Sequence, residues 1–379
     1  MKRALVLGSC TFQQPGARVG IQFIALGLSQ RGWDVDYISQ PSSPFDCLSS
    51  SRRWRYQKAW SKDPKPFVIS DTLREFVPRA PFPMRPLLLR WPFQLNIYRK
   101  MAPSFITETE YDLCVNDTSS AFMYGPKVKT PIRILRYNDK IDGFGERISS
   151  VLINEFHRQL SAELYKDVWA VTDGLKEHAL TLSPNTPAET IPNGVEVSRY
   201  VDAAKTSEKE EKSAVFVGTC AEWVDAEIMA QAARELPDWT FHLYGPGFEN
   251  LEGPNNLQIH GPIPFEKVPK VLAKAKVGLV PFKEVRDLLD DCERPLKFYE
   301  YLAANCGVAV TEVGGFRKGM GHWATFGSCA KSYAEAIKEA AEMNDKRDPK
   351  KVRTFLAECS WSHRLDQMCQ RLQEAGVKL

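Results

Sequence analysis

Two kinds of hydrophobic pattern alternate along this chain. Short, mostly apolar runs, three to five residues long, read as buried strands, and longer stretches with apolar residues three and four apart read as helices lying over them. Ala4–Leu7 is the first run. Ile21–Leu28 is apolar-periodic and ends at Arg31-Gly32, and Val35–Ile38 is the next run. Strand runs recur at Leu113–Val115, Ile132–Leu135 and Val168–Thr172, with a helix from about Ile148 to Tyr165 and another opened by Asp173. Ile191-Pro-Asn-Gly-Val195 then makes a strand end and turn. Asp202–Lys212 is charged and almost free of apolar residues, so it reads as a linker. The alternation resumes with Ala214–Val217 and the turn Gly218-Thr219-Cys220, and a helix carries Ile228, Met229, Ala232 and Leu236. Phe241–Tyr244, Leu257–His260, Val277–Pro281 and Val308–Val310 supply further strands. Alternating strand and helix predicts α/β domains with parallel sheets. The chain's 379 residues suit two such domains.

Composition changes this picture in one place. Residues 51–100 hold twelve Lys or Arg against three acids, with seven prolines and with Trp54, Tyr56, Trp60, Phe67, Phe82, Trp91, Phe93 and Tyr98 among them. Basic residues mixed with Trp and Leu suit the interface of an anionic membrane. A basic insertion whose aromatics fold back on the domain fits the same composition. So does a single-strand nucleic-acid platform, although its neighbours do not. The whole chain carries only +3, which speaks against a general nucleic-acid-binding surface. Nine scattered cysteines without a C-x-x-C pair predict a reducing compartment rather than a disulfide framework or a zinc site. The opening apolar run is too short for a signal peptide, and no run approaches a membrane span. The expected location is therefore the cytoplasm or the cytosolic face of a membrane.

Candidate chemistry concentrates between Glu293 and Cys306. Arg294-Pro295 reads as a helix entry, and Lys297 and Glu300 then leave one face near the positive end of the helix. Such an end binds phosphate through free N–H groups, the lysine adds a full charge, and the glutamate can accept from ribose hydroxyls. An exposed i,i+3 ion pair is the plainer reading of the same two residues. Gly218 and Thr219 form a turn through which backbone N–H groups can approach a diphosphate. No Gly-x-Gly-x-x-Gly is present, so a dinucleotide cofactor is not indicated. Asp34-Val-Asp36 has the form of a metal-binding Asp-x-Asp, but it stands where a helix hands over to a strand. Arg136-Tyr-Asn-Asp139 leaves an apolar strand at its carboxyl end, where α/β domains place reactive groups.

Pro295-x-Lys297-x-x-Glu300-Tyr301-Leu302-Ala303, followed by an apolar strand and a Gly-Gly turn, resembles the donor-site motif of GT-B glycosyltransferases. More narrowly, the chain resembles the bacterial xanthan-type glucuronosyltransferases, which act on lipid-linked oligosaccharides. The resemblance implies two doubly wound Rossmann-like domains facing each other. An acceptor-binding domain would span 1–200, with the basic insertion at about 51–105, and 201–213 would be the linker. A nucleotide-sugar domain would span 214–355, and a closing segment, 356–379, would return to the first domain. In this family the lysine binds the diphosphate and the acid binds the ribose, with Arg294 and Leu296 alongside. His260 and Gly261 hold the base by main-chain contacts, although a surface histidine beside a turn is the alternative. Arg18 matches an arginine of the first loop, and otherwise reads as solvated. Pro262 and Phe282 stand where the xanthan-type enzymes have an acid and a tyrosine near the nucleotide, and Glu300 stands where they have glutamine.

The function so implied is inverting transfer of a sugar, glucuronate by the narrower resemblance, from a UDP-sugar to a lipid-linked saccharide or polysaccharide. No cofactor or metal is called for, because helix dipole and lysine can carry the leaving-group charge. Asp139, three residues after Arg136 in the family's Arg-x-x-Asp spacing, is the expected base. Asp142 is the rival, because Gly143 completes that family's Asp-Gly pair, though Asp142 also suits a helix cap. A nucleotide-sugar epimerase and a non-catalytic binding protein share the same architecture.

Overall fold

The computed structural model describes residues 1–8, 10–13, 18–49, 52–62, 65–285, 289 and 292–377. The chain forms two compact α/β units. Unit 1 runs to Pro192 and resumes at Leu365, and unit 2 is Asn193–Arg364.

Unit 1 is built on eight strands: β1 (Arg3–Leu7), β2 (Asp34–Ile38), β3 (Phe67–Ser70), β4 (Leu73–Phe76), β5 (Leu113–Asp117), β6 (Ile132–Tyr137), β7 (Asp167–Ala170) and β8 (Ala188–Thr190). Their spatial order is β3-β4-β2-β1-β5-β6-β7-β8. All neighbours are parallel except the β3–β4 hairpin at the edge. The apolar runs end up in central strands: every residue of β5, and all of β1 after Arg3, is buried. Strand order reverses between β1 and β5, so the crevice at their carboxyl ends is this sheet's natural binding place.

The basic region is more deeply folded than an insertion would be. Residues 67–76 are β3 and β4, and Leu73 and Phe76 pair with Val35 and Ile38 of β2. Arg74 reaches back to Asp34 and Asp36 at 2.8 and 2.9 Å, and Tyr111 donates to Asp36 at 2.8 Å. The Asp-x-Asp pair is thereby tied up by an arginine and a phenol within the sheet.

Unit 2 holds β9 (Glu210–Val217), β10 (Thr240–Tyr244), β11 (Leu257–Gly261), β12 (Ala275–Val280), β13 (Gly307–Thr311) and β14 (Thr325–Gly327), in the order β11-β10-β9-β12-β13-β14. All are parallel. This is the doubly wound order, with its switch point between β9 and β12.

The expected linker at 201–213 is not one. Val197–Lys205 is helical with Tyr200 buried, and β9 already starts at Glu210. Between them the Lys209 ammonium donates to the carbonyls of Ala275 at 2.6 Å and of Ala273 and Ala304 at 3.3 Å. The charges belong to one exposed helix face and to a strand overhang, which a composition window cannot distinguish from a tether.

The Trp361–Glu374 helix belongs to unit 1 from Leu365 onward. There Leu365 packs on Gly27, Asp366 pairs with Arg31 at 2.6 Å, and Arg371 clamps Asp167 at 2.7 and 2.9 Å. Among the described residues no helix is long and apolar enough to cross a membrane.

Candidate functional site

In unit 2 the Leu296–Ala303 helix is held by its apolar side. Phe298, Tyr299, Tyr301 and Leu302 are buried, and the Tyr301 ring covers Gly278 so closely that a β-carbon there would collide with it. The Tyr301 hydroxyl donates to the Leu279 carbonyl at 3.1 Å. With that face fixed, Lys297 and Glu300 emerge on the other, at the switch point. Pro295 is the N-cap, one residue before the helix begins, with φ near −65°.

The Lys297 ammonium lies over the turn after β9. It occupies the space a β-carbon on Gly218 would need, with Cε 3.1 Å from that point, and sits 5.0 Å from the centre of the Phe216 ring. Gly218 has φ +152°, and Gly245, at φ +135°, packs its Cα against the Gly218 carbonyl. Both are positions that only glycine fills without strain. Gly218 N–H donates to Tyr244 O at 2.8 Å and Cys220 N–H to Pro246 O at 2.9 Å, which joins the two turns, while Thr219 is exposed. One turn along the helix, Glu300 Oε1 accepts from the Tyr200 hydroxyl at 2.8 Å. Desolvation lowers the Lys297 pKa and raises that of Glu300, and each group's charge opposes the shift of the other. A half-buried cation above a glycine turn, next to a carboxylate, can hold a diphosphate and an adjacent diol.

Other expected donor ligands take different parts. His260 is exposed and its ring stacks on Tyr244 at 4.4 Å, with its Nε2 3.0 Å from His242 Nδ1. Gly261, at φ +69°, accepts from Gly245 N–H at 2.8 Å. Phe282 is buried, its carbonyl accepting from the Thr311 hydroxyl. Arg294 donates to the Gly319 carbonyl at 2.6 Å, which fixes the following loop, and Leu296 is half-buried at the helix start.

In unit 1 the carboxyl ends of β5 and β6 gather acids. Asp139 is exposed, and its N–H and that of Asn138 both donate to Thr118 Oγ1 at 3.3 Å. Desolvation by the surrounding protein pushes the Asp139 carboxyl up to about 6 although one side stays open to water. Asp142 does not cap a helix: its Oδ2 lies 3.1 Å from His157 Nε2. Arg136, the spacing partner of Asp139, is fully buried and donates to the carbonyls of Ile191 and Trp169, so it braces the strands behind the acid. Arg18 lies over the Phe12 ring at 5.9 Å. Phe12 N–H donates to Glu75 at 2.9 Å, tying the loop after β1 to the end of β4.

The basic segment splits in two. Trp54 packs edge-on to Phe67, Trp60 donates to Ser42 O at 3.0 Å, and Arg79 lies over Trp60. Arg52 pairs with Asp46, Arg53 donates to Cys47 O, and Arg55 to Gln40 O. This half folds back on the domain. Residues 82–100 behave differently. Leu87, Trp91 and Phe93 are 74, 60 and 62% exposed, and Phe82, Leu88 and Ile97 are exposed too. No acid occurs between Glu75 and Glu108, whereas Arg85, Arg90 and Lys100 do; Arg99 instead turns inward to pair with Glu155 at 2.6 Å. Gln94 Oε1 accepts from Arg90 and Trp91 N–H at 2.8 Å while its amide donates to Leu88 O at 2.9 Å.

Tyr200, Tyr244 and Asp117 were missed by the sequence reading. The i,i+3,i+4 spacing of Val197, Tyr200 and Val201 carried a helical signal running up to the charged stretch.

Residues 224–370 match the family described as glycosyl transferase-like. TuaH of Bacillus subtilis (strain 168), assigned to teichuronic acid biosynthesis as a glycosyltransferase, is 30% identical over 105 residues, a stretch covering 26% of each chain. Sucrose-phosphate synthase from Thermosynechococcus elongatus superposes with a TM-score of 0.71 at 16% identity, covering 99% of both chains. Anabaena Alr3699/HepE, solved in complex with UDP-glucose, gives 0.62 at 13% identity, covering 99% of this chain and 100% of that one. The chain thus has the two-domain fold of the GT-B glycosyltransferases, and most of unit 2 lies within the stretch that matches the glycosyl transferase-like family.

Proposed function

We propose that the chain transfers a sugar from a UDP-linked donor to a saccharide acceptor. The observation that carries this is Lys297 above the Gly218 turn with Glu300 one helical turn on. The lysine and the helix N-terminus take the negative charge that develops on the departing diphosphate, and Glu300, oriented by Tyr200, accepts from the ribose. The UDP-glucose complex of the HepE neighbour supports uracil as the base. In unit 1, Asp139 removes the acceptor hydroxyl's proton. The freed oxygen pair forms the bond to the anomeric carbon, and the donor bond's electrons leave with UDP. Displacement from the opposite face inverts that carbon. The elevated Asp139 pKa suits a base working near neutrality.

The acceptor is a lipid-linked saccharide at an anionic membrane surface, glucuronate being the donor sugar that the xanthan-type resemblance favours. Residues 82–100 support the membrane part, with exposed Leu, Trp and Phe side chains framed by arginines and no acid. The enzyme would then work on the cytoplasmic face of the inner membrane. Incubation with a panel of nucleotide sugars, with and without membrane lipid extract, tests the reading. Transfer from a UDP-sugar that requires the extract is the expected result. Product without any acceptor would point to epimerisation, and no turnover with any donor would sink the enzymatic reading.

A further inference from the structure

Asp117 ends β5 at the switch point of unit 1, directly beside the strand that carries Asp139. It pairs in register with Arg136 and is 4% exposed. Three hydrogen bonds join the two strand ends. Thr118 Oγ1 accepts from Asn138 N–H and from Asp139 N–H, and the Asn138 amide donates to Asp117 Oδ1. Thr118 N–H donates to the same Asp117 oxygen at 2.9 Å. Asn138 Oδ1 is buried and has no partner among the described residues, so the amide is held by its tie to Asp117 and not by a network of its own.

We propose that Asp117 is the positioning residue for Asp139: through Asn138 and Thr118 it anchors the loop that presents the exposed acid, and it sets a second, buried carboxyl behind it. This rests on the assignment of Asp139 as the base. Among the charged groups near Asp117 are Arg136 on β6, Asp139 just after it, and the Tyr37 phenol on β2, whose own ionisation Asp117 opposes. Burial first, and then the Asp139 charge, push the Asp117 carboxyl up to about 7, against the pull of Arg136 and the Asn138 and Thr118 donors. Asp139 gives up its proton first, at about 6, while Asp117 is still protonated, so the buried acid bears on Asp139 by placement and hydrogen bonding rather than by charge.

The test uses the full chain labelled with carboxyl-13C aspartate, resonances being identified by their loss in Asp117→Asn and Asp139→Asn. In Asp139→Asn, an exposed change that leaves the fold intact, the Asp117 titration midpoint should fall by roughly half a pH unit or more. In Asp117→Asn the Asp139 midpoint and the acid limb of kcat/KM should stay near 6, because Asp117 is still protonated there, while kcat falls severalfold at unchanged UDP affinity. Thr118→Val keeps both carboxyls but cuts the shared tie, so kcat should drop severalfold with the acid limb in place. An Asp117 midpoint that ignores the loss of Asp139 overturns the inference, as does a Thr118→Val enzyme with parental kcat. Near-parental transfer by Asp139→Asn overturns the base assignment and with it the role of Asp117. Transfer lost in Asp139→Asn beside a parental kcat in Asp117→Asn overturns this inference alone.

Discussion

The Lys297 ammonium rests where a β-carbon of Gly218 would be, so the cation and the turn beneath it occupy one space. Gly218→Ala should therefore act on nucleotide binding. The new methyl displaces Nζ, and the φ of +152° strains any side chain. Calorimetry should show about tenfold or greater loss of UDP affinity. Parental affinity in a folded Gly218→Ala protein would mean the lysine is not the diphosphate ligand.

Lys297→Ala removes a charge-assisted contact of roughly 1.5–3 kcal/mol. UDP affinity should fall about ten- to a hundredfold or somewhat more, and uridine affinity much less. Equal losses for UDP and uridine would place the lysine away from the phosphates.

Tyr200→Phe deletes the hydroxyl that steadies Glu300. A net bond of about 0.5–1.5 kcal/mol predicts a two- to tenfold weaker hold on the nucleoside. Glu300→Ala should cost more, since it removes the ribose acceptor itself. Both variants should weaken uridine as well as UDP. An effect on UDP alone would reassign Glu300 from ribose to phosphate.

Burial pushes the Asp139 carboxyl up to about 6, and the proposed role as base requires its carboxylate form. Its pKa is raised by folding, so protonation is favoured in the native state and activity is lost as pH falls through that value. Below about pH 6 kcat/KM should decline about tenfold per pH unit, and above it should level off. Asp139→Asn should bind UDP normally yet transfer roughly a hundredfold more slowly or worse. An inactive Asp142→Asn beside a normal Asp139→Asn would move the base to the His157-paired acid.

Replacing Leu87, Leu88, Trp91 and Phe93 together with serine should release the protein from phosphatidylglycerol vesicles without loss of UDP binding. Replacing Arg85 and Arg90 with glutamine should weaken attachment by about 1 kcal/mol each and reduce its salt dependence. The arginines at 52, 53 and 55 are engaged within the fold and should matter less. Vesicle binding that survives loss of the four apolar side chains would exclude this surface.

What could be read without coordinates follows the range of the forces concerned. Runs such as Ala4–Leu7 and Val308–Val310 announce buried parallel strands because burial on both faces requires unbroken apolarity. Lys297 and Glu300 were legible because a helix places residues three apart on one face whatever surrounds it. The burial of Arg136 was not legible, for the opposite reason: it depends on the carbonyls of Trp169 and Ile191, 33 and 55 residues away. Asp117 ends an apolar run just as the run before Asp139 ends, and that signal was present. Only the strand order, which sets β5 beside both β1 and β6, shows why it counts.

The Gln94 clamp has a consequence for how such a surface would meet a bilayer. Ordering a loose segment on arrival costs on the order of 1–2 kcal/mol per residue in backbone entropy alone. Here that cost is met during folding, because one amide side chain binds three backbone groups between Leu88 and Trp91. The exposed leucines and aromatics are presented as a rigid wedge. Docking would then resemble seating a preformed part more than folding upon contact, with circular dichroism unchanged on adding vesicles. Cutting the clamp with Gln94→Ala would turn the same side chains into a tether that must first be ordered, weakening attachment without removing a single apolar or charged group.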